Sequence, residues 1–158
     1  YYSSDGTTKR RFMGGGGADF APNMLEAVMT NLAKHKQVYL VLDNPVGEGF
    51  GPEEFIQGGR LGTMRVGRMT PTAPWASAQK ALHERMRQMA LRAGATVIDP
   101  IPTLCQKDWC TRADAEATPI YKDAGHLRAE YVRNFATYID PAMTTPAKPG
   151  PAAALPAR

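Results

Sequence analysis

Apolar positions recur at helical spacing in two long stretches and run unbroken in two short ones. Phe20, Met24, Leu25, Val28 and Leu32 follow Asp19, a side chain able to cap a helix. Lys34, His35 and Lys36 come next, where positive charge offsets the dipole of a last helical turn. Val38-Tyr39-Leu40-Val41-Leu42 is then a continuous apolar run of strand length, as expected for a strand covered on both faces of a parallel sheet. A second helical stripe, Ala78, Leu82, Met86, Met89, Ala90 and Ala93, is predicted to start behind Thr72 as its cap and to close at Gly94. Residues 95–99 form the next short strand, and Leu127, Tyr131, Phe135 and Tyr138 line one face of a closing helix. The order helix, strand, excursion, helix, strand, loop, helix predicts an α/β fold of three-layer α/β/α sandwich type.

The intervening stretches lack such periodicity. Residues 1–18, with four consecutive glycines at 14–17, read as a flexible loop, and residues 44–71 as a long excursion over the active-site end of the sheet. Past Pro141 the chain turns Pro/Ala-rich, so the expected organisation is a domain over 1–142 and a disordered tail over 143–158. At 158 residues there is chain for one core, and no apolar run approaches the roughly 18 residues of a membrane span. No signal-peptide pattern opens the sequence, which starts at Tyr1 and reads as beginning inside a larger protein. The net charge of +4 is dispersed, with Lys9-Arg10-Arg11 as its one tight cluster and no aromatics interleaved, so no nucleic-acid partner is expected.

Chemistry concentrates near the end. Asp123 and His126 form an Asp-x-x-His where a loop enters a helix. A serine hydroxyl becomes a competent nucleophile when a neutral imidazole takes its proton, and that imidazole needs a carboxylate to fix its tautomer. The bland alternative is a helix-capping Asp beside a surface His. Cys105 and Cys110 are the only cysteines. Their spacing suits a small disulfide ring in an oxidising compartment better than zinc, for which nearby ligands are too few. Two free thiols in a reducing compartment are the other reading. Gly47-Glu48-Gly49-Phe50-Gly51 follows a strand but fails as a dinucleotide fingerprint, since Pro52 stands at the third glycine's place and Glu53-Glu54 would repel a pyrophosphate. No cofactor is expected. His35 and His83 read as solvated helix residues, the Leu82, Met86, Met89 stripe as core, and Trp109 as either a packing residue or the lining of an acyl or sugar pocket.

The segments Val97-Ile98-Asp99-Pro100, Leu104-Cys105, Cys110, Pro119-Ile120-Tyr121-Lys122-Asp123 and Gly125-His126-Leu127 resemble the C-terminal part of the SGNH-hydrolase-like domain fused to membrane acyltransferase-3 proteins. The Val38 to Leu42 strand followed by Asn44-Pro45 is similar to that domain's middle. The resemblance implies a flavodoxin-like SGNH hydrolase fold, incomplete at its N-terminus, in a periplasmic part of an inner-membrane enzyme. Such enzymes O-acylate lipopolysaccharide, exopolysaccharide or related cell-envelope glycans. Its implied partners are an acyl ester, a glycan hydroxyl and an upstream membrane acyltransferase domain in the same polypeptide. By position, His126 takes the role of general base and Asp123 that of its orienting acid in a Ser-His-Asp triad. The family's Gly-Asp-Ser block has no counterpart, because Ser3, Ser4 and Ser77 lack that context. A non-catalytic glycan-binding or structural module, and a free-standing secreted esterase, are the alternatives.

Overall fold

The computed structural model of the protein describes residues 20–57, 65–66 and 72–144, the side chains of 56, 57, 65 and 66 excepted. The expected N-terminal loop, the Asp19 cap and most of the expected tail, 145–158, lie outside the described residues. The chain divides into two compact units, and helix α2, Ser77–Arg92, contributes to both.

The first unit holds helix α1, Phe20–Ala33, most of α2, and strands β1, Tyr39–Val41, and β5, Thr96–Ile98. β1 and β5 pair in parallel with Leu40 opposite Val97, the pairing that two apolar runs separated by a helix predict. The Gly94 turn ends α2 as expected. Gly94 takes φ +75°, donating to the Leu91 carbonyl while Ala95 donates to Ala90, which is a Schellman closure. Met29, Met89, Ala90, Ala93 and Ala95 form the core, with Leu25, Leu40, Met86 and Val97 packed against it.

Two expectations about helix faces fail. On α1 the buried positions are Ala21, Pro22 and Met29, while Phe20, Met24, Val28 and Leu32 stand 41–51% exposed. The helix is apolar on two faces, and its slimmer one, Ala21 and Met29, is buried. Lys34, His35 and Lys36 lie beyond the helix end, in a turn where His35 and Lys36 donate to the Leu32 carbonyl. On α2, His83 is buried at 5% exposure rather than solvated, because it falls seven residues before Ala90 on the same face.

The second unit carries most of the rest: a 3₁₀ turn over Pro52–Phe55, strands β2, Ile56–Gln57, and β3, Arg65–Val66, which pair antiparallel, and a three-stranded antiparallel sheet. That sheet runs β4, Thr72–Pro74, beside β7, Trp109–Thr111, beside β6, Cys105–Gln106. Thr72 therefore sits in a strand, and α2 starts five residues later than its expected cap. Pro74 cannot donate within a helix, and Gln79 and Lys80 close the first turn on the Ala76 carbonyl. Short elements in residues 44–71 also replace part of the featureless excursion expected there.

Helix α3, Ile101–Leu104, leads into β6, and its start is held by the Asp99 carboxylate, which accepts from the Ile101 N–H at 2.9 Å. The closing helix α4, Ala129–Phe135, is shorter than the apolar stripe suggests and has no fully buried residue. It breaks at Ala136, Tyr138 falls in the following 3₁₀ turn over Thr137–Ile139, and Phe135 is 56% exposed. A last helix, α5, spans Asp140–Thr144 and belongs to the first unit from Pro141 on. The second unit's core is Phe50, Ala73, Leu104, Cys110, Ile120 and Tyr121, with Trp75, Leu127 and Tyr131 against it.

Candidate active site

The segment carrying Asp123 and His126 is a closed loop with a short antiparallel stem. Tyr121 bridges to Leu127, the Lys122 N–H donates to the His126 carbonyl at 2.8 Å, and Arg128 donates to Ile120 at 2.8 Å. Within this loop the Asp123 carboxylate organises its surroundings. Its Oδ1 accepts from the backbone N–H groups of Gly125 and His126, both at 2.9 Å, and lies 2.8 Å from His126 Nδ1, with Oδ2 at 3.0 Å from the same nitrogen.

Those contacts set the electrostatics. The Gly125 N–H first, then the His126 ring, hold the Asp123 carboxyl below the usual carboxylate range, so it is ionised at neutral pH. An ionised carboxylate only accepts, which assigns a proton to His126 Nδ1 and leaves the Nε2 lone pair of the neutral ring available. The His126 side chain is 76% exposed, so Nε2 can meet a hydroxyl arriving from outside the loop. A proton taken at Nε2 makes an imidazolium beside a carboxylate already held ionised, the arrangement a general base requires.

What keeps the loop in place is a set of contacts from residues far away in sequence. The Gly47 N–H donates to the Ala124 carbonyl at 2.8 Å, and the Asn44 amide donates to the carbonyls of Pro45 at 3.0 Å and Gly125 at 3.3 Å. Gln79 ties that strand exit to the start of α2. Its amide donates to the Asn44 carbonyl at 2.7 Å, and its Oε1 accepts from the Val46 N–H at 3.2 Å and the Trp75 indole at 3.1 Å. Beneath the loop, Tyr121 is fully buried with its ring 5.1 Å from that of Phe50. Burial pushes its hydroxyl upward. That hydroxyl has no partner at hydrogen-bonding geometry among the described residues, although Asn44 stands near enough to offset part of the burial.

The glycine-rich turn thus has a structural use. Gly47 and Gly49 take φ of +112° and +93°, which few side chains tolerate, and so deliver Phe50 into the core and the Gly47 N–H to the loop. Arg112, 9% exposed, braces the same turn by donating to the Gly49 carbonyl, while its guanidinium lies 4.3 Å from the Phe55 ring centre and 3.8 Å from Glu54. Burial lowers its pKa and the Glu54 charge partly restores it. Of these supports, Asn44-Pro45 at a strand exit carried a local signal. Gln79 and Arg112 carried none.

Cys105 and Cys110 form a disulfide. It lies across the β6–β7 hairpin, where the two residues are directly paired.

The chain is thus of mixed α/β class, and a loop ahead of helix α4 presents an imidazole oriented by a carboxylate. The family model described as an SGNH domain (fused to AT3 domains) matches residues 1–141, and the chain belongs to that family, the SGNH domains of acyltransferase-3 proteins. No curated protein and no solved structure gives a match. Membership supports a glycan O-acyltransferase-related module of esterase or acyltransferase type, with an acyltransferase domain in the same polypeptide. Fusion to membrane domains points to a membrane protein whose SGNH part lies outside the bilayer. Among the described residues no helix is long and apolar enough to cross a membrane, and no cluster of His, Cys, Asp and Glu could hold a metal.

Proposed function

We propose that this domain serves O-acyl transfer to or from sugars of a cell-envelope glycan, such as lipopolysaccharide, on the periplasmic side of the membrane. The observation that carries the proposal is the Asp123–His126 contact at 2.8 Å, held by two further backbone donors on the same carboxylate oxygen. Asp123 orients His126 and stabilises its cation; His126 moves the proton. The nucleophile this pair serves is a serine hydroxyl.

In the first step the serine Oγ attacks the carbonyl carbon of an acyl ester and gives its proton to His126 Nε2. The ester C–O bond breaks, Nε2 returns the proton to the departing alkoxide, and the acyl group remains on the serine. A sugar hydroxyl then attacks the acyl-serine while His126 takes its proton, and the C–Oγ bond breaks as Nε2 reprotonates the serine. Water in place of the sugar gives hydrolysis, so the fate of the acyl group depends on which hydroxyl reaches it.

Ester turnover by the full polypeptide, with an aryl acetate as donor, tests the role of His126. His126→Ala is expected to remove serine-dependent turnover while the domain stays folded. Undiminished turnover would overturn the assignment and favour a non-catalytic glycan-binding module.

A further inference from the structure

The three-stranded sheet has one face committed to the core and one that is not. Side chains alternate along a strand. The row Ala73, Cys110 and Cys105 points inward, with Cys110 at 0% and Ala73 at 2% exposure. Gln106 pairs with Trp109, and Thr72 with Thr111, so these four belong to the opposite face. They line, with Lys107, a recess of about 430 Å³. Trp109 is 56% exposed.

The hairpin that presents this face is held from three sides. The Cys105–Cys110 disulfide staples it, the Lys80 ammonium pairs with Asp108 at its tip, and the Trp75 N–H donates to the Asp108 carbonyl at 2.9 Å. At the tip Lys107 takes φ +57°, a conformation that costs a non-glycine residue energy and persists where surrounding contacts enforce it. A hairpin braced in this way pays little backbone ordering entropy when a ligand settles on it.

We propose that this recess is a sugar-binding subsite, with a pyranose ring of a glycan stacked on the Trp109 indole. One face of a pyranose is a patch of C–H groups and its rim carries hydroxyls. The recess offers a flat aromatic surface for the first and two threonine hydroxyls, a glutamine amide and a lysine ammonium for the second, each able to donate and most able to accept. Its volume falls in the range of small-ligand sites. A protein partner fits less well. A stable interface needs about 800 Å² from each side, and Trp109 is the one large exposed apolar side chain among the recess residues. β4 and β6, the sheet's edges, are three and two residues long, too short to template an added strand. That the bound sugar is the acyl acceptor rests on the proposed acyl transfer; the binding itself does not.

The experiment uses this chain, ¹⁵N-labelled, titrated with maltotriose, cellotriose and chitotriose. Its two indole N–H signals are assigned with Trp109→Phe. The expected result is saturable movement of the Trp109 indole and of the Thr72 and Thr111 amides with at least one of the three sugars, with the Trp75 indole, bonded to Gln79, unmoved. Trp109→Ala should weaken binding at least about tenfold, as for an aromatic anchor. Trp109→Phe, which keeps a stacking face, should weaken it less, and Gln106→Ala should weaken it severalfold with the hairpin unaltered. No movement with any of the three sugars, or equal affinity in Trp109→Ala, would overturn the proposal. His126→Ala should bind sugar normally while losing ester turnover in the full polypeptide, so the two claims fail separately.

Discussion

Replacing Asn44 by alanine tests whether the loop bearing Asp123 and His126 is held from outside itself. The substitution removes the donors that reach Pro45 at 3.0 Å and Gly125 at 3.3 Å and takes away the polar side chain beside the buried Tyr121 hydroxyl. A neutral hydrogen bond is worth about 1 kcal/mol net, and a part-buried carbonyl left without its donor costs about 1–3 kcal/mol. The 3.3 Å bond is near the weak end of that range, and water can reach the half-buried Gly125, so the expected loss is about 1–3 kcal/mol in total. Urea unfolding followed by tryptophan fluorescence measures it. Amide exchange should localise it, with faster exchange at Gly47 and Gly125 than elsewhere in the unit. Asn44→Asp sharpens the result. A carboxylate facing two carbonyl oxygens repels them, so its deficit relative to Asn44 should shrink as acid protonates the new side chain. A change below about 0.5 kcal/mol with unaltered exchange at both glycines would refute the idea that Asn44 anchors the loop.

Further outcomes follow from the same geometry. Tyr121→Phe removes a buried hydroxyl that lacks a well-placed partner, so unfolding measurements should show it neutral or stabilising by about 1 kcal/mol, whereas Tyr121→Ala should cost about 3–5 kcal/mol. Asp123→Asn preserves size but favours the wrong imidazole tautomer, and serine-dependent ester turnover of the full polypeptide should fall on the order of 10³-fold or more. Because the Asp123 carboxyl is held low in the folded state, its contribution is complete above the ordinary carboxylate pKa and is lost as pH falls through the lowered value. Protection of the Gly125 and His126 amides should therefore fade with acid in that window and not near neutrality. Reducing Cys105–Cys110 opens a ring closed across five positions, with an expected loss of about 2 kcal/mol in the chain-entropy treatment, read as a shift in urea midpoint with and without reductant.

Long-period features were legible in the sequence. The parallel pairing of Leu40 with Val97 follows from two apolar runs with a helix between them, and the Gly94 closure from a glycine after the last apolar position. The β6–β7 hairpin was not. Its strands are two and three residues long, and Gln106, Lys107 and Asp108 give no alternation, so pairing rests on a disulfide and on β4, more than thirty residues upstream. Helix faces misled where both sides were apolar, as on α1, or where a titratable residue held a core position, as His83 does. The Asp-x-x-His spacing revealed the pair itself, since three residues in a tight loop bring carboxylate and imidazole together. Its supports come from Asn44, Gly47 and Gln79, whose relation to Gly125 exists only once the chain is folded.

General-base chemistry at this pair requires that Asp123 fix His126 with its proton on Nδ1 and its lone pair on Nε2. Long-range ¹H–¹⁵N correlation of the His126 ring, at a pH where the imidazole is neutral, measures this directly. A protonated Nδ1 and an unprotonated Nε2 are expected, with that preference lost in Asp123→Asn. A ring protonated on Nε2 in the unaltered protein would contradict the general-base role.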